Sequence, residues 1–219
     1  MERTVQPELL DSLAPDHPDA VRNRRDLRLT NAVMGNPRWF SRTLPALLRS
    51  AEHVLDLGAG TGELAHRLNR AGLATDGLDL WPAPAGWPAG RAWHRTDLQH
   101  FDGFASYPAV IGNLIFHQFN ANELKRLGRR LDTGTRLILA SEPARRRRSQ
   151  VLYRTLAPLC GANHVSLHDA HVSIAAGFLG RELPDLLGLD PAHWNIHCST
   201  TFIGAYRMIA IRLDASASR

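Results

Sequence analysis

A glycine-rich turn is the part of this chain whose residue types and spacing point most directly to chemistry. The apolar segment Val54–Leu57, interrupted by Asp56, runs into Gly58–Gly62, where every second residue is glycine. Glycine takes positive φ and has no Cβ, so such a turn lets a small ligand lie against bare backbone. Glu63 follows directly, so the spacing matches neither the dinucleotide fingerprint nor the Walker loop. We therefore expect a nucleoside ligand that lacks phosphates and carries a positive centre near Asp56.

Polar residues at the ends of the later predicted strands extend this site. Asp79 ends the second strand, where a carboxylate accepts hydrogen bonds from two ribose hydroxyls. Asp97, after the third strand, is placed to accept a hydrogen bond from the exocyclic amino group of an adenine, and Leu98 is placed to pack against the adenine ring. Ligands of open α/β sheets bind beyond the carboxyl ends of the strands, so these groups should share one crevice. The predicted cofactor-binding residues are Asp56, Gly58, Ala59, Gly60, Gly62, Asp79, Leu80, Asp97, Leu98 and Asn113.

An alternation of strand and helix patterns must position these residues. After Leu57 we predict helices at 62–71, 121–131 and 180–187, and strands at 74–80, 92–94, 110–112 and 136–140. This alternation predicts an α/β fold with a mostly parallel sheet and helices on both faces. Two closing strands, 194–198 and 202–212, have no helix between them and predict an antiparallel hairpin at the edge.

Two helices are predicted before the glycine turn. The first spans Pro18–Met34 and stops at Gly35, and Asn36 is expected to cap the second, with Pro37 at its first position. We interpret residues 1–49 as an N-terminal helical lid, 50–213 as the ligand-binding domain and 214–219 as a tail.

Composition favours a soluble cytoplasmic protein. The 219 residues carry a formal charge of +5, and the run Arg145–Arg148 is expected to form a solvated or anion-facing loop. A basic chain of this kind allows a nucleic-acid partner, although an arginine-biased composition explains the charge more simply. No apolar run is long enough to span a bilayer, and the two cysteines lack metal-ligand spacing. We therefore expect no membrane contact and no metal; the oligomeric state is left open.

The motifs resemble those of the class I S-adenosylmethionine-dependent methyltransferases, in the methyltransferase-domain group near the ubiquinone/menaquinone-type enzymes. The segment 54–62 looks like the family's first motif, 77–80 like its ribose-binding motif, 113–119 like its fourth-strand motif, and 141–143 like the end of its fifth strand. The resemblance implies a Rossmann-like sheet of seven strands, S-adenosylmethionine as cofactor, and methyl transfer without a metal.

Two histidines are candidate catalytic bases under this resemblance. His117 follows the fourth strand, where the acceptor enters in this fold, but Gln118 replaces the second histidine of the usual pair. A structural role for His117, as a helix cap or beneath the cofactor, is the alternative. His168 stands beside Asp169, in what we expect to be a loop, although sequence neighbours usually point apart. The predicted pocket walls are Trp39, Phe116 and Phe178.

The sequence is compatible with three functions. The first is methylation of a small, largely apolar metabolite on oxygen or carbon, with a polyketide- or quinone-like acceptor. The second is methylation of rRNA or tRNA, which the basic charge favours and the absence of Pro-Pro after Asn113 disfavours. The third is a protein that binds S-adenosylmethionine without turnover.

Overall fold

A seven-stranded sheet forms the centre of the computed structural model, which describes residues 1–14 and 16–213. The predicted tail at 214–219 lies outside the described residues. The strand order is β3-β2-β1-β4-β5-β7-β6, and β7 runs antiparallel to both of its neighbours while the other pairings are parallel. The predicted mostly parallel sheet with an antiparallel hairpin at one edge is confirmed. The strands are β1 (Val54–Leu57), β2 (Thr75–Asp79), β3 (Trp93–Arg95), β4 (Ala109–Asn113), β5 (Leu137–Pro143), β6 (Trp194–Thr200) and β7 (Ala205–Arg212).

Seven α-helices surround the sheet within the described ranges. They are α1 (Pro18–Met34), α2 (Asn36–Leu47), α3 (Glu63–Arg70), α4 (Ala121–Leu131), α5 (Arg147–Leu156), α6 (His164–Ala176) and α7 (Glu182–Leu187). In this part of the chain no helix combines the length and the apolar character needed to cross a bilayer. Since α6 contains His168, our expectation that it lies in a loop was wrong.

Two apolar clusters pack on the sheet's two faces. One joins Leu55 and Leu57 to Leu124 of α4 and Leu187 of α7. The other joins Val54 to α2 and α3 through Phe40, Leu44, Leu64 and Leu68. Helices therefore cover both faces, as predicted, and α2 packs directly on the sheet that carries the glycine turn.

The start of α2 corrects one prediction. Asn36 is the first residue of the helix rather than its cap, and Gly35, with φ of 69°, precedes it. The Asn36 side chain is buried and points into the protein, where its amide nitrogen bonds both Asn31 and Asn113. Its oxygen accepts a hydrogen bond from Ser141 at the end of β5. Asn36 thus joins α2 to the ends of β4 and β5.

Replacing Gly128 by alanine is expected to destabilise the protein although it lies within α4. Alanine is normally the better helix residue by about 1 kcal/mol. Here a Cβ at Gly128 would lie 1.7 Å from the carbonyl oxygen of Leu187, which is backbone and cannot swing away. We expect Gly128→Ala to lower the free energy of unfolding by about 2 kcal/mol, measured by urea titration. Lys125→Ala, on the exposed face of α4, should change it by less than about 0.5 kcal/mol.

Candidate functional site

The glycine turn lies between β1 and α3 and has the backbone that the sequence predicted. Gly58, Gly60 and Gly62 all have positive φ, at 61°, 57° and 72°. The Asp79 carboxylate accepts hydrogen bonds from the backbone nitrogen of Gly60 at 2.8 Å and of Trp81 at 2.9 Å. Side chains approach the turn closely, since a Cβ at Gly58 would lie 2.5 Å from Cδ1 of Ile115. The turn is therefore held against the ends of β2 and β4.

Asp56 is the buried acid of this turn. It is 2% exposed, and its Oδ2 atom has no hydrogen-bond partner among the described residues. Burial, and secondarily the nearby charge of Asp79, raise the pKa of Asp56 from 3.8 to about 8. With a pKa of about 8 the Asp56 side chain by itself is mostly neutral at pH 7, and a ligand that donates to its unused oxygen or brings positive charge would favour the ionised form. Asp56 is thus suited to a cationic or hydrogen-bond-donating ligand.

The other predicted cofactor residues lie around the same end of the sheet. The backbone nitrogen of Ala59 bonds the Leu78 carbonyl oxygen at 3.0 Å, which ties the turn to β2. Leu98 is buried, whereas Leu80 is 65% exposed. Asp97 accepts a hydrogen bond from the backbone nitrogen of Gln99 at 2.8 Å. Asn113 bonds Asn36 at 3.0 Å. Because β2, β1 and β4 are neighbours, the structure brings Asp79, Asp56 and Asn113 to adjacent strand ends.

A second group of polar side chains surrounds His117, in the turn that follows β4. Nδ1 of His117 lies 2.7 Å from Glu142, at the end of β5, and Nε2 lies 3.4 Å from Glu8 of the N-terminal segment. Glu142 is completely buried and also accepts hydrogen bonds from the backbone nitrogens of Ile115, Phe116 and His117. Sequence reasoning placed Glu142 in a motif but gave no role to it or to Glu8.

The two carboxylates keep His117 protonated. Burial alone would lower the pKa of His117, but the hydrogen bonds to Glu142 and Glu8 outweigh it and raise the pKa from 6.5 to about 9. Burial alone would raise the pKa of Glu8, but its hydrogen bond to His117 and the imidazolium charge outweigh burial and lower it. In this arrangement His117 is a hydrogen-bond donor at neutral pH rather than a free base.

This protonation predicts how stability depends on pH. The folded-state pKa of His117 is raised, so its stabilising contribution is complete below pH 6.5 and is lost as the pH rises through about 9. We expect the urea midpoint to fall more over this range in the wild-type protein than in His117→Gln. His193→Gln, whose side chain is 73% exposed, should keep the wild-type pH dependence. If the urea midpoint changed with pH to the same extent in all three proteins, the ion pairs of His117 would not contribute to stability.

The N-terminal segment 1–13 covers this group. Arg3 donates to the carbonyl oxygens of Ala176, His117 and Phe119, and the backbone nitrogens of Leu9 and Leu10 donate to Asp169 of α6. Beneath the segment lies a cavity of about 200 Å³. Its apolar lining residues are Val5, Pro7, Val172 and Ala176, and its polar ones are Gln6, Glu8, Asp11, His117, Gln118 and Ser173.

The side chains of His168 and Asp169 are in contact, although we expected the side chains of adjacent residues to point apart. Nδ1 of His168 lies 3.1 Å from Asp169, and the His168 side chain is 43% exposed. Asp169 is buried and also accepts a hydrogen bond from Asn23 of α1 at 3.1 Å. Its main structural effect is to bind the N-terminal segment and α1 to α6.

The aromatic residues predicted as pocket walls lie outside the cavity lining. Phe116 and Phe178 are fully buried, and Arg3 stacks over the Phe178 ring at 4.7 Å. Trp39 lies beneath Arg207, 5.1 Å from the guanidinium carbon.

Arg145 corrects the prediction of a solvated arginine loop. It is 5% exposed and pairs with Glu182, while Arg147 and Arg148 are exposed at the start of α5. Within residues 1–14 and 16–213, no three His, Cys, Asp or Glu side chains are grouped so that they could hold a metal ion.

No family model and no curated protein sequence matches this chain. Solved structures do match it. The plantazolicin methyltransferase BpumL, in complex with a triazolic desmethylPZN analog and SAH, is 13% identical over 93% of each chain, with a TM-score of 0.71. A structure concerned with the conversion of a disulfide bond into a thioacetal group during echinomycin biosynthesis is 20% identical over 83% of this chain and 84% of that one, with a TM-score of 0.56. The methyltransferase domain of bacterial CtHen1-CN is 15% identical over 82% of this chain and 100% of that one, with a TM-score of 0.54. The chain therefore has a class I methyltransferase fold.

Proposed function

We propose that this chain, which has the class I methyltransferase fold, is an S-adenosylmethionine-dependent enzyme that methylates a small, largely apolar metabolite on oxygen or carbon. The observation that carries the proposal is the pairing of a positive-φ glycine turn with two acids at adjacent strand ends, Asp56 and Asp79. This pairing suits a nucleoside that carries positive charge.

The residues present fit S-adenosylmethionine. The Asp79 carboxylate would accept hydrogen bonds from the ribose hydroxyls, and Asp97 would accept one from the adenine amino group. The glycine turn 58–62 would let the ligand lie directly against backbone atoms. The unpartnered oxygen of Asp56 favours a ligand that brings donors or positive charge to this turn. When bound, the cofactor supplies a methyl group that its sulfonium already activates. The protein's task is therefore to align the acceptor and exclude water.

The acceptor site is proposed to be the cavity beneath the N-terminal segment. Its apolar side chains, among them Val5, Val172 and Ala176, suit an apolar acceptor, and the N-terminal segment 1–13 covers part of it. An acceptor hydroxyl that displaced the Glu8 carboxylate would leave His117 paired with Glu142 alone. If the departing Glu8 keeps the Nε2 proton, His117 is left as a neutral imidazole that donates Nδ1–H to Glu142, and its Nε2 can then take the proton of the acceptor hydroxyl. His168, which is more exposed and bound to Asp169, is the second candidate base.

Methyl transfer is the direct test. Purified protein is incubated with methyl-labelled S-adenosylmethionine and a metabolite extract, and we expect label in apolar small molecules. Asp79→Ala should reduce the labelling by at least about tenfold, because it removes the ribose acceptor. Label that appears in added RNA, with none in small molecules, would overturn the proposal in favour of an RNA methyltransferase.

A protein that binds the cofactor without turnover is the other alternative. Its prediction is tight calorimetric binding of S-adenosylmethionine with no labelled product in either the metabolite or the RNA fraction. The buried His117–Glu142 pair beside a cavity favours the catalytic proposal, because cofactor binding alone requires neither feature.

A further inference from the structure

The outer face of α5 is apolar and exposed, which is the reverse of the usual arrangement in a surface helix. No residue of α5 is buried. Val151 is 63% exposed, and Leu152 and Leu156 are each 50% exposed. These residues recur at helical spacing with Arg148, so they lie along one side of the helix. The opposite side faces the protein, where Gln150 donates to the carbonyl oxygen of His171 and Tyr153 lies 3.5 Å from Thr30.

Two neighbouring elements extend this stripe. In the turn that follows α5, Leu159 is 81% exposed. At the tip of the β6–β7 hairpin, Phe202 is 89% exposed and its ring lies 5.6 Å from the guanidinium carbon of Arg148. We call the set Phe202, Val151, Leu152, Leu156 and Leu159 the apolar stripe. Exposed apolar side chains grouped across three elements, rather than scattered singly, are typical of an interaction surface.

The segment that carries most of the apolar stripe has charge of one sign. Residues 144–168, which include all of α5, contain five arginines and no Asp or Glu. Arg145 forms an ion pair with Glu182 inside the protein, but Arg147, Arg148 and Arg154 are exposed. A partner for this surface must therefore offer both negative charge and an apolar phase.

We propose that the apolar stripe and its arginines bind the surface of an anionic phospholipid bilayer. Leucine, valine and phenylalanine side chains enter the boundary between headgroups and acyl chains, while arginines contact the lipid phosphates. A second copy of the chain fits less well, because it would bring two sets of arginines together. Nucleic acid would use the arginines but would leave the aliphatic side chains without a partner. Contact of this kind needs no helix that spans the bilayer. It therefore replaces our expectation of no membrane contact, and it agrees with the lack of an apolar run long enough to span a bilayer.

Vesicle sedimentation tests this proposal. We expect the full-length protein to sediment with vesicles of mixed phosphatidylcholine and phosphatidylglycerol and to bind pure phosphatidylcholine at least about tenfold more weakly. Arg147→Gln with Arg148→Gln should weaken binding to the anionic vesicles by about tenfold or more. Leu156→Ser with Leu159→Ser should weaken it to a similar extent, because it removes the inserted side chains.

Matched controls separate this effect from unfolding. Leu80→Ser changes a leucine that is 65% exposed but lies beyond β2, at the other side of the sheet, and should leave vesicle binding unchanged. All variants are at exposed positions and should keep the wild-type urea midpoint. Failure to sediment with either vesicle would overturn the proposal, as would equal loss in Leu80→Ser. Tighter binding to single-stranded RNA than to the anionic vesicles, or a dimer that Leu156→Ser with Leu159→Ser dissociates, would overturn it as well.

Discussion

Gly60→Leu is expected to abolish S-adenosylmethionine binding while leaving the fold intact. A Cβ at Gly60 would meet nothing closer than the Gly58 carbonyl oxygen at 4.0 Å, so the protein itself has room for a side chain there. That room is the space between the turn and the strand ends in which we place the cofactor. A leucine there would compete with the ligand, and we expect the dissociation constant, measured by calorimetry, to rise by at least about 100-fold.

Gly72→Leu is the matched control for this prediction. Gly72 also has positive φ, at 81°, and a Cβ there would meet nothing within 4 Å. Both substitutions therefore carry a similar backbone strain of about 1 kcal/mol, and neither clashes with the protein. We expect similar losses in the free energy of unfolding but wild-type affinity in Gly72→Leu. If the two variants bound S-adenosylmethionine equally well, the cofactor would not lie against Gly60.

Local signals in the sequence predicted the glycine turn, the acids at neighbouring strand ends and most of the sheet. The glycine turn and the strand-end acids could be recognised because spacing along a βα unit fixes which residues meet at the end of a parallel sheet. Helix α4 was predicted with its observed bounds, and a local capping box between Asn120 and Glu123 marks its start in the structure. Each of these features depends on residues close together in the chain.

Helix α6 and the His117 group were not predictable in this way. α6 packs against α1, α5 and β5, so its apolar residues do not form a single stripe, and its histidines resembled loop residues. Its one start signal was Asn163, whose side chain accepts from the backbone nitrogen of Ser166. Glu8 meets His117 across 109 positions of sequence, and only tertiary packing makes that contact.

Glu142→Gln is expected to destabilise the protein more than any other substitution considered. The Glu142 carboxylate is completely buried, accepts from three consecutive backbone nitrogens in 115–117, and pairs with His117. Glutamine preserves the shape but removes the charge and places an NH₂ group where acceptors are needed. Breaking one partner of a buried ion pair costs about 3–5 kcal/mol, because the other charge is left without compensation. We expect a loss of that size in urea titrations.

The comparison with an exposed ion pair decides whether burial is the cause. Asp102→Asn weakens the pair that Asp102 forms with Arg130 at 2.7 Å, but the Asp102 side chain is 98% exposed. Water screens that pair, so we expect a loss of less than about 1 kcal/mol. In Glu142→Gln, the pKa of His117, followed by NMR titration, should fall because its strongest hydrogen-bond acceptor has lost its charge. If Glu142→Gln cost no more than Asp102→Asn, the turn after β4 would be held by its own backbone, and Glu142 would not orient His117.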